Sequence, residues 1–139
     1  MPVTAFIVED SLAIREGLSG ALSEMAGIET TGTAASEGEA LRWLDEAGQP
    51  WDLAIVDLIL EGQGSGLGVL RALRTRQPDQ KVVVLTATAS KAVREQCMAL
   101  GSDEVFDKSM ESDALIAWCA AFADGRRDGA SGSREAGER

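Results

Sequence analysis

Short apolar runs alternate with amphipathic stretches along the whole chain. Val3 to Val8 is apolar and ends in two acids, Glu9 and Asp10. Ile14, Leu18, Leu22 and Met25 follow at helical spacing. Ile28 to Thr33 has the β-branched character of a strand. Ala40, Leu41, Leu44 and Ala47 then recur at the period of a helix that Gly48 and Pro50 should end. Leu53 to Val56 is a fully apolar run closed by Asp57, and Gly62 to Gly68 is a glycine-rich loop. Leu67, Leu70 and Leu73 stripe the next helix, which Pro78 stops. Val82 to Leu85, inside Lys81 to Thr86, is the most plainly buried strand. Val93, Cys97 and Leu100 mark a helix ended by Gly101, Val105-Phe106 a short last strand, and Leu115, Trp118 and Phe122 a last helix.

Strands without polar alternation, separated by helix-length stretches, predict a parallel sheet covered on both faces. Right-handed crossovers make such a sheet doubly wound, so the fold class expected is α/β: five parallel strands flanked by five helices. Its ligands bind at the carboxyl ends of the strands, near the point where strand order reverses. The domain is expected to span residues 1–123. Residues 124–139 contain nothing apolar larger than alanine and are expected to be a disordered polar tail.

Charge and composition narrow the function classes. The net charge of −10 disfavours nucleic-acid backbones and anionic membranes, so neither is an expected partner. With no histidine in the 139 residues, imidazole catalysis, histidine metal ligation and phosphohistidine formation are excluded for this chain. Cys97 and Cys119 read as buried free thiols. Met25, Met98 and Met110 read as core gap-fillers, and Trp43, Trp51 and Trp118 as packing residues. The start of the chain has no basic segment and no long apolar one, so a cytoplasmic location is expected.

The candidate chemistry lies at strand ends. Glu9 and Asp10 follow the first strand, Asp57 the third, Thr86 closes the fourth and Lys108 follows the fifth. Parallel topology carries all of them to one edge of the sheet. Carboxylates that converge repel one another unless a cation sits among them. Hard oxygen donors with open positions suit Mg²⁺, which shares its shell with water and phosphate. An Asp carboxylate can attack phosphorus to give an aspartyl-phosphate. Phosphoryl transfer then needs in-line placement and neutralised equatorial oxygens, which Mg²⁺, Lys108 and the Thr86 hydroxyl can supply.

From Val3 to about Phe122 the chain resembles the receiver domains of two-component response regulators. The resemblance rests on Ile7-Val8-Glu9-Asp10, Ile55-Val56-Asp57-Leu58, Gly64-Ser65-Gly66-Leu67, Val84-Leu85-Thr86-Ala87 and Gly101-Ser102-Asp103 running to Lys108. It implies a flavodoxin-like fold with strand order 2-1-3-4-5. It also implies Asp57 as phosphoacceptor, Asp10 and the Ile59 carbonyl as direct Mg²⁺ ligands beside Asp57, and Glu9 acting through water. Thr86, Ala87 and Lys108 become the switch and phosphoryl-contact residues. The implied phosphodonor is a histidine kinase or histidine phosphotransfer protein. The implied output is a protein partner at the face of the fourth helix, fifth strand and fifth helix, which carries Trp118. No enzymatic turnover is implied beyond self-phosphorylation and slow loss of the group.

The chain departs from the family pattern at four places. Glu9 replaces an aspartate, and the loop after Asp57 lacks a proline near Leu60-Glu61 and is about one residue longer. Val105 occupies the position of a switch aromatic, with Phe106 expected to face the other way. Ser109 stands where a proline, often cis, usually follows the lysine. Three other readings remain beside the receiver. One is a degenerate receiver that docks without phosphate. A second is a small phosphohydrolase with an Asp nucleophile, which in haloacid-dehalogenase-type enzymes follows the first strand. The third is a flavodoxin-like flavin binder, opposed by the acidic edge.

Overall fold

The computed structural model describes residues 2–46 and 50–136, with side chains described through residue 127. Strands β1 (Val3–Val8), β2 (Ile28–Ala34), β3 (Leu53–Val56), β4 (Lys81–Thr86) and β5 (Glu104–Asp107) alternate with helices α1 (Leu12–Ala21), α2 (Glu37–Asp45), α3 (Gly66–Leu73), α4 (Lys91–Ala99) and α5 (Ser112–Ala136). All four strand pairings are parallel, in the order β2-β1-β3-β4-β5. The expected doubly wound five-stranded fold and its order are observed. The helix stop expected at Gly48 lies outside the described residues.

The sheet separates two apolar layers. Phe6, Val8, Val56, Val84 and Val105 face Ala40 of α2, Val69, Leu70 and Leu73 of α3, and Cys97 of α4. Ala5, Ile7, Ile55, Leu85 and Phe106 face Leu18 of α1 and Leu115, Cys119 and Ala123 of α5. Adjacent residues on one strand thus serve opposite layers, which is why Val105 and Phe106 part company. Cys97 and Cys119 lie in different layers and are free, buried thiols; burial pushes Cys119 up to about 12.

Serines set the start of four helices. Ser11, Ser36, Ser65 and Ser90 each accept a backbone N–H from the first turn of the helix that follows. Each cap of this kind contributes about 1 kcal/mol. All four follow the carboxyl ends of β1, β2, β3 and β4, so the caps fix where each chain segment turns away from the functional edge. Between α1 and β2, Leu22–Ala26 form a wider π turn that Gly27 closes at φ 65°.

Edge strand β2 carries a bulge: Ala5 pairs with Thr30 but Phe6 pairs with Gly32. The bulge brings Gly32 under the Trp43 indole, which stacks on Phe6 with centroids 4.1 Å apart. A Cβ at Gly32 would overlap the indole. Gly32→Ala must therefore unstack Trp43 or shift β2, and should cost about 2 kcal/mol, in the range of overpacked cores. Urea denaturation followed by tryptophan fluorescence measures this, and a midpoint equal to wild type would mean the bulge relaxes freely.

Helix α5 runs on past Asp124, and for Asp124 to Arg127 the expectation of disorder is corrected. The Arg126 guanidinium pairs with Asp52 and Asp79, before β3 and β4, and lies 5.7 Å from the Phe122 ring centroid. Arg127 pairs with Asp124 at 2.7 Å and donates to the Ala26 carbonyl. Composition treats such arginines as solvated, whereas here they staple the helix to the sheet's amino edge. Side chains beyond 127 and residues 137–139 lie outside the described part. Met25, Met98 and Met110 are also corrected: all three are exposed and fill no core gap.

Candidate functional site

Register places the acids. Val8 pairs with Val56, so Glu9 and Asp57 leave adjacent strands side by side, and Asp57 N–H donates to the Val8 carbonyl at 2.9 Å. Chain order reverses between β1 and β3, which makes this the crevice of the sheet. Thr86 pairs with Asp107, and Lys108 N–H donates to the Thr86 carbonyl at 2.9 Å, which brings the lysine to the same edge.

Glu9, Asp10 and Asp57 each place one carboxylate oxygen within 4.8 Å of the others. Glu9 and Asp57 are 2% and 5% exposed, and Asp10 is exposed. Lys108 Nζ bridges the two buried acids, at 2.6 Å from Glu9 Oε1 and 2.7 Å from Asp57 Oδ2. Burial pushes the Glu9 pKa up, and its bond to Lys108 only partly opposes this. Burial also works against the Lys108 charge, but the bonds to Asp57 and Glu9 outweigh it and hold the ammonium above its ordinary pKa. The edge is thus a concentrated negative site that the Lys108 ammonium only partly neutralises.

Glu9 and Asp57 differ in how their oxygens are engaged. Glu9 Oε2 accepts from Ser11 N–H at 2.8 Å, so both Glu9 oxygens are engaged, and Arg15 holds its main-chain carbonyl at 2.7 Å. Among the described residues Asp57 Oδ1 has only a long contact, from Ile59 N–H at 3.4 Å. Oxygen-only donors, one exposed acid and one under-used oxygen on Asp57 fit a hard divalent cation such as Mg²⁺.

Thr86 is fully buried, and its hydroxyl is engaged with Thr88, at 3.1 Å from Oγ1, while also accepting Thr88 N–H at 3.3 Å. Val105 is buried beside α4. Arg94 of α4 crosses that place: it donates to the carbonyls of Ala89 and Val105 and pairs with Glu111 at 2.6 Å. One side chain therefore ties the β4–α4 loop, β5 and the start of α5. Pairs this far apart in sequence leave no local signal.

The β5–α5 turn uses hydrogen bonds where a proline is common. Asp107 Oδ1 accepts the Ser109 N–H and hydroxyl, each at 2.8 Å, and the Met110 N–H at 3.0 Å. The Ser109 side-chain bond leads the lowering of the Asp107 pKa. A proline could not donate its nitrogen here. The Asp107-Lys108-Ser109 spacing is an Asx-turn signal. All peptide bonds among the described residues are trans.

A family model described as the response regulator receiver domain matches residues 5–120. The photosynthetic apparatus regulatory protein RegA of Cereibacter sphaeroides is 29% identical over 78% of this chain and 56% of its own length. The DNA-binding transcriptional activator DevR/DosR of Mycobacterium tuberculosis is 32% identical over 74% of this chain and 46% of its own. The chain thus spans about half the length of these relatives. A solved response regulator protein from Burkholderia pseudomallei, with a phosphorylated aspartic acid, calcium ion and citrate, is 27% identical with a TM-score of 0.71, over 91% of this chain and 71% of that one.

Proposed function

The chain belongs to the response regulator receiver domain family of two-component systems, and from that premise we propose that it accepts a phosphoryl group on Asp57 and signals by rearranging a protein-binding face. The observation that carries this reading is the Asp57 carboxylate itself: buried at the switch point of the sheet, one oxygen on Lys108, the other nearly free, two more acids within reach. The phosphorylated aspartic acid and calcium ion of the Burkholderia relative support it.

In the transfer, an Asp57 oxygen forms a bond to phosphorus as the bond to the donor's leaving atom breaks, and the leaving group departs with the electron pair. Asp57, Asp10 and the Ile59 carbonyl would hold Mg²⁺, with Glu9 acting through water because both its oxygens are taken. When bound, Mg²⁺ neutralises charge on the transferring oxygens. Lys108 exchanges part of its bond to Asp57 for a phosphoryl oxygen. Thr86 releases Thr88 to do the same, and Ala87 is small enough to let the loop follow. Val105 fills space without a ring to flip, so motion of Thr86 to Ala92 is passed on through Arg94 to the face formed by α4, β5 and α5.

A histidine kinase or phosphotransfer protein is the proposed donor. Exposed Leu12, Ile59 and Met110, each two residues beyond Asp10, Asp57 and Lys108, give the acidic edge an apolar rim suited to a protein surface. Turnover is limited to the domain's own phosphorylation and slow hydrolysis. Among the described residues no helix is long and apolar enough to cross a membrane.

The metal arm of this reading is tested by Mg²⁺ titration of tryptophan fluorescence or of amide NMR signals. Asp10→Asn should weaken Mg²⁺ by about tenfold, or ~1.4 kcal/mol, the scale of one charge contact. Glu9→Gln should weaken it less. The reverse order would assign the direct ligand to Glu9. Mg²⁺ binding unaffected by either change would remove the site from this edge.

A further inference from the structure

The loop that follows Asp57 is held from outside by Glu37, the first residue of α2. Its Oε1 accepts the Ser65 N–H at 2.7 Å, and the rest of its side chain lies against Gly64 and Gly68. A Cβ at either glycine would overlap the Glu37 carboxylate. Gly64 also has φ 95°, which an L side chain rarely adopts. These two glycines therefore form a slot for the carboxylate at the amino end of α3, where negative charge is favoured by the helix dipole.

The link continues to the reacting residue. Ser65 caps α3, and Gly66 N–H donates to the Leu58 carbonyl at 2.9 Å. A Cβ on Gly66 would overlap the main-chain carbonyl of Asp57, so this turn lies directly on the Asp57 backbone. Between these fixed points the segment from Ile59 to Gly64 has no proline. Glu61, Gly62, Gln63 and Gly64 are exposed.

We propose that Glu37 is a positioning residue: its carboxylate, seated between Gly64 and Gly68, fixes the β3–α3 loop so that the Ile59 carbonyl is presented to the metal beside Asp57. This rests on the metal reading above. A loop freed at Ser65 spends less time with Ile59 correctly placed, and apparent affinity falls in proportion to the competent fraction.

The experiment measures two quantities on the full chain: Mg²⁺ affinity by NMR titration, and amide hydrogen exchange over residues 58–66 without metal. Glu37→Ala should speed exchange in that segment and weaken Mg²⁺ about fivefold. Glu37→Gln keeps a carbonyl acceptor and should restore both to within about twofold. Gly68→Ala should reproduce the loss from the other side, by evicting the flexible carboxylate. It should do so without lowering the thermal midpoint, because alanine favours the helix. That split between midpoint and affinity separates positioning from general destabilisation.

Wild-type exchange and wild-type Mg²⁺ affinity in Glu37→Ala would overturn the proposal. So would a Glu37→Gln variant as impaired as Glu37→Ala. If the wild type itself binds no Mg²⁺, the metal reading fails, and unchanged loop exchange in Glu37→Ala is then what overturns the role of Glu37.

Discussion

Without metal, Lys108→Met should lower stability by about 2–3 kcal/mol, and added Mg²⁺ should return most of it. Removing one partner from a buried ion pair costs about 3–5 kcal/mol. The lower figure applies because the Lys108 side chain is 20% exposed. Methionine preserves much of the length and volume, so the loss is one of charge. It leaves Glu9 and Asp57, both nearly buried, facing each other and Asp10 without a counterion.

The same reasoning fixes the metal response. On the proposed metal reading, the ammonium and a divalent cation would compete for Asp57, so removing the ammonium should tighten Mg²⁺ binding. Stabilisation grows as RT ln(1 + [Mg²⁺]/Kd), so the thermal midpoint of the variant should respond more steeply to Mg²⁺ than that of wild type. The pH dependence has a definite sign. The Glu9 pKa is already raised by burial, and the bond to Lys108 is what chiefly lowers it. With that bond gone, the folded-state pKa rises further above the unfolded value. The variant is then relatively favoured at acidic pH, where Glu9 holds a proton, and loses stability as pH rises through the folded pKa. Circular dichroism melts with chelator and with Mg²⁺, at acidic and neutral pH, check all three statements. A variant as stable as wild type without metal, with no added Mg²⁺ response, would show that the carboxylates do not repel as described.

Much of this was legible in the sequence because the signals are local. A short, β-branched, fully apolar run such as Val82 to Leu85 reads as a strand buried on two faces. Once the topology is parallel, the residues after each run must share an edge. That step brings Glu9, Asp57 and Lys108 together from positions far apart. The serines that cap four helices are local features too, but the hydrophobic pattern does not include them and the structure supplies them.

The rest depends on distances that only the folded chain defines. Glu37 and Ser65 are 28 positions apart, and Arg94 and Glu111 are 17 apart. No periodicity connects them. Arg126 and Arg127 read as tail charges until Asp52, Asp79 and the Ala26 carbonyl are seen within reach. The methionines misled for the opposite reason: an apolar residue at helical spacing is usually core. Met25 sits in the π turn that ends the first helix and Met110 in the β5–α5 turn, and both are exposed.

Asp57 carries the central claim, and its chemistry predicts an all-or-none result. The other acids are poorer nucleophiles by their surroundings: Glu9 has both oxygens bound, and Asp10 is solvated. Asp57 has one oxygen oriented by Lys108 and one with only a 3.4 Å contact. Asparagine in its place keeps the shape but replaces the anionic carboxylate with a neutral amide, whose oxygen is a poor nucleophile. The measurement is intact-protein mass after exposure to Mg²⁺ and a small acyl-phosphate donor, for wild type and Asp57→Asn in parallel. Wild type should gain one phosphoryl mass that hydroxylamine removes, as it does from an acyl phosphate, and chelating the metal should prevent the gain. Asp57→Asn should gain none. Equal labelling of the asparagine variant would contradict the account.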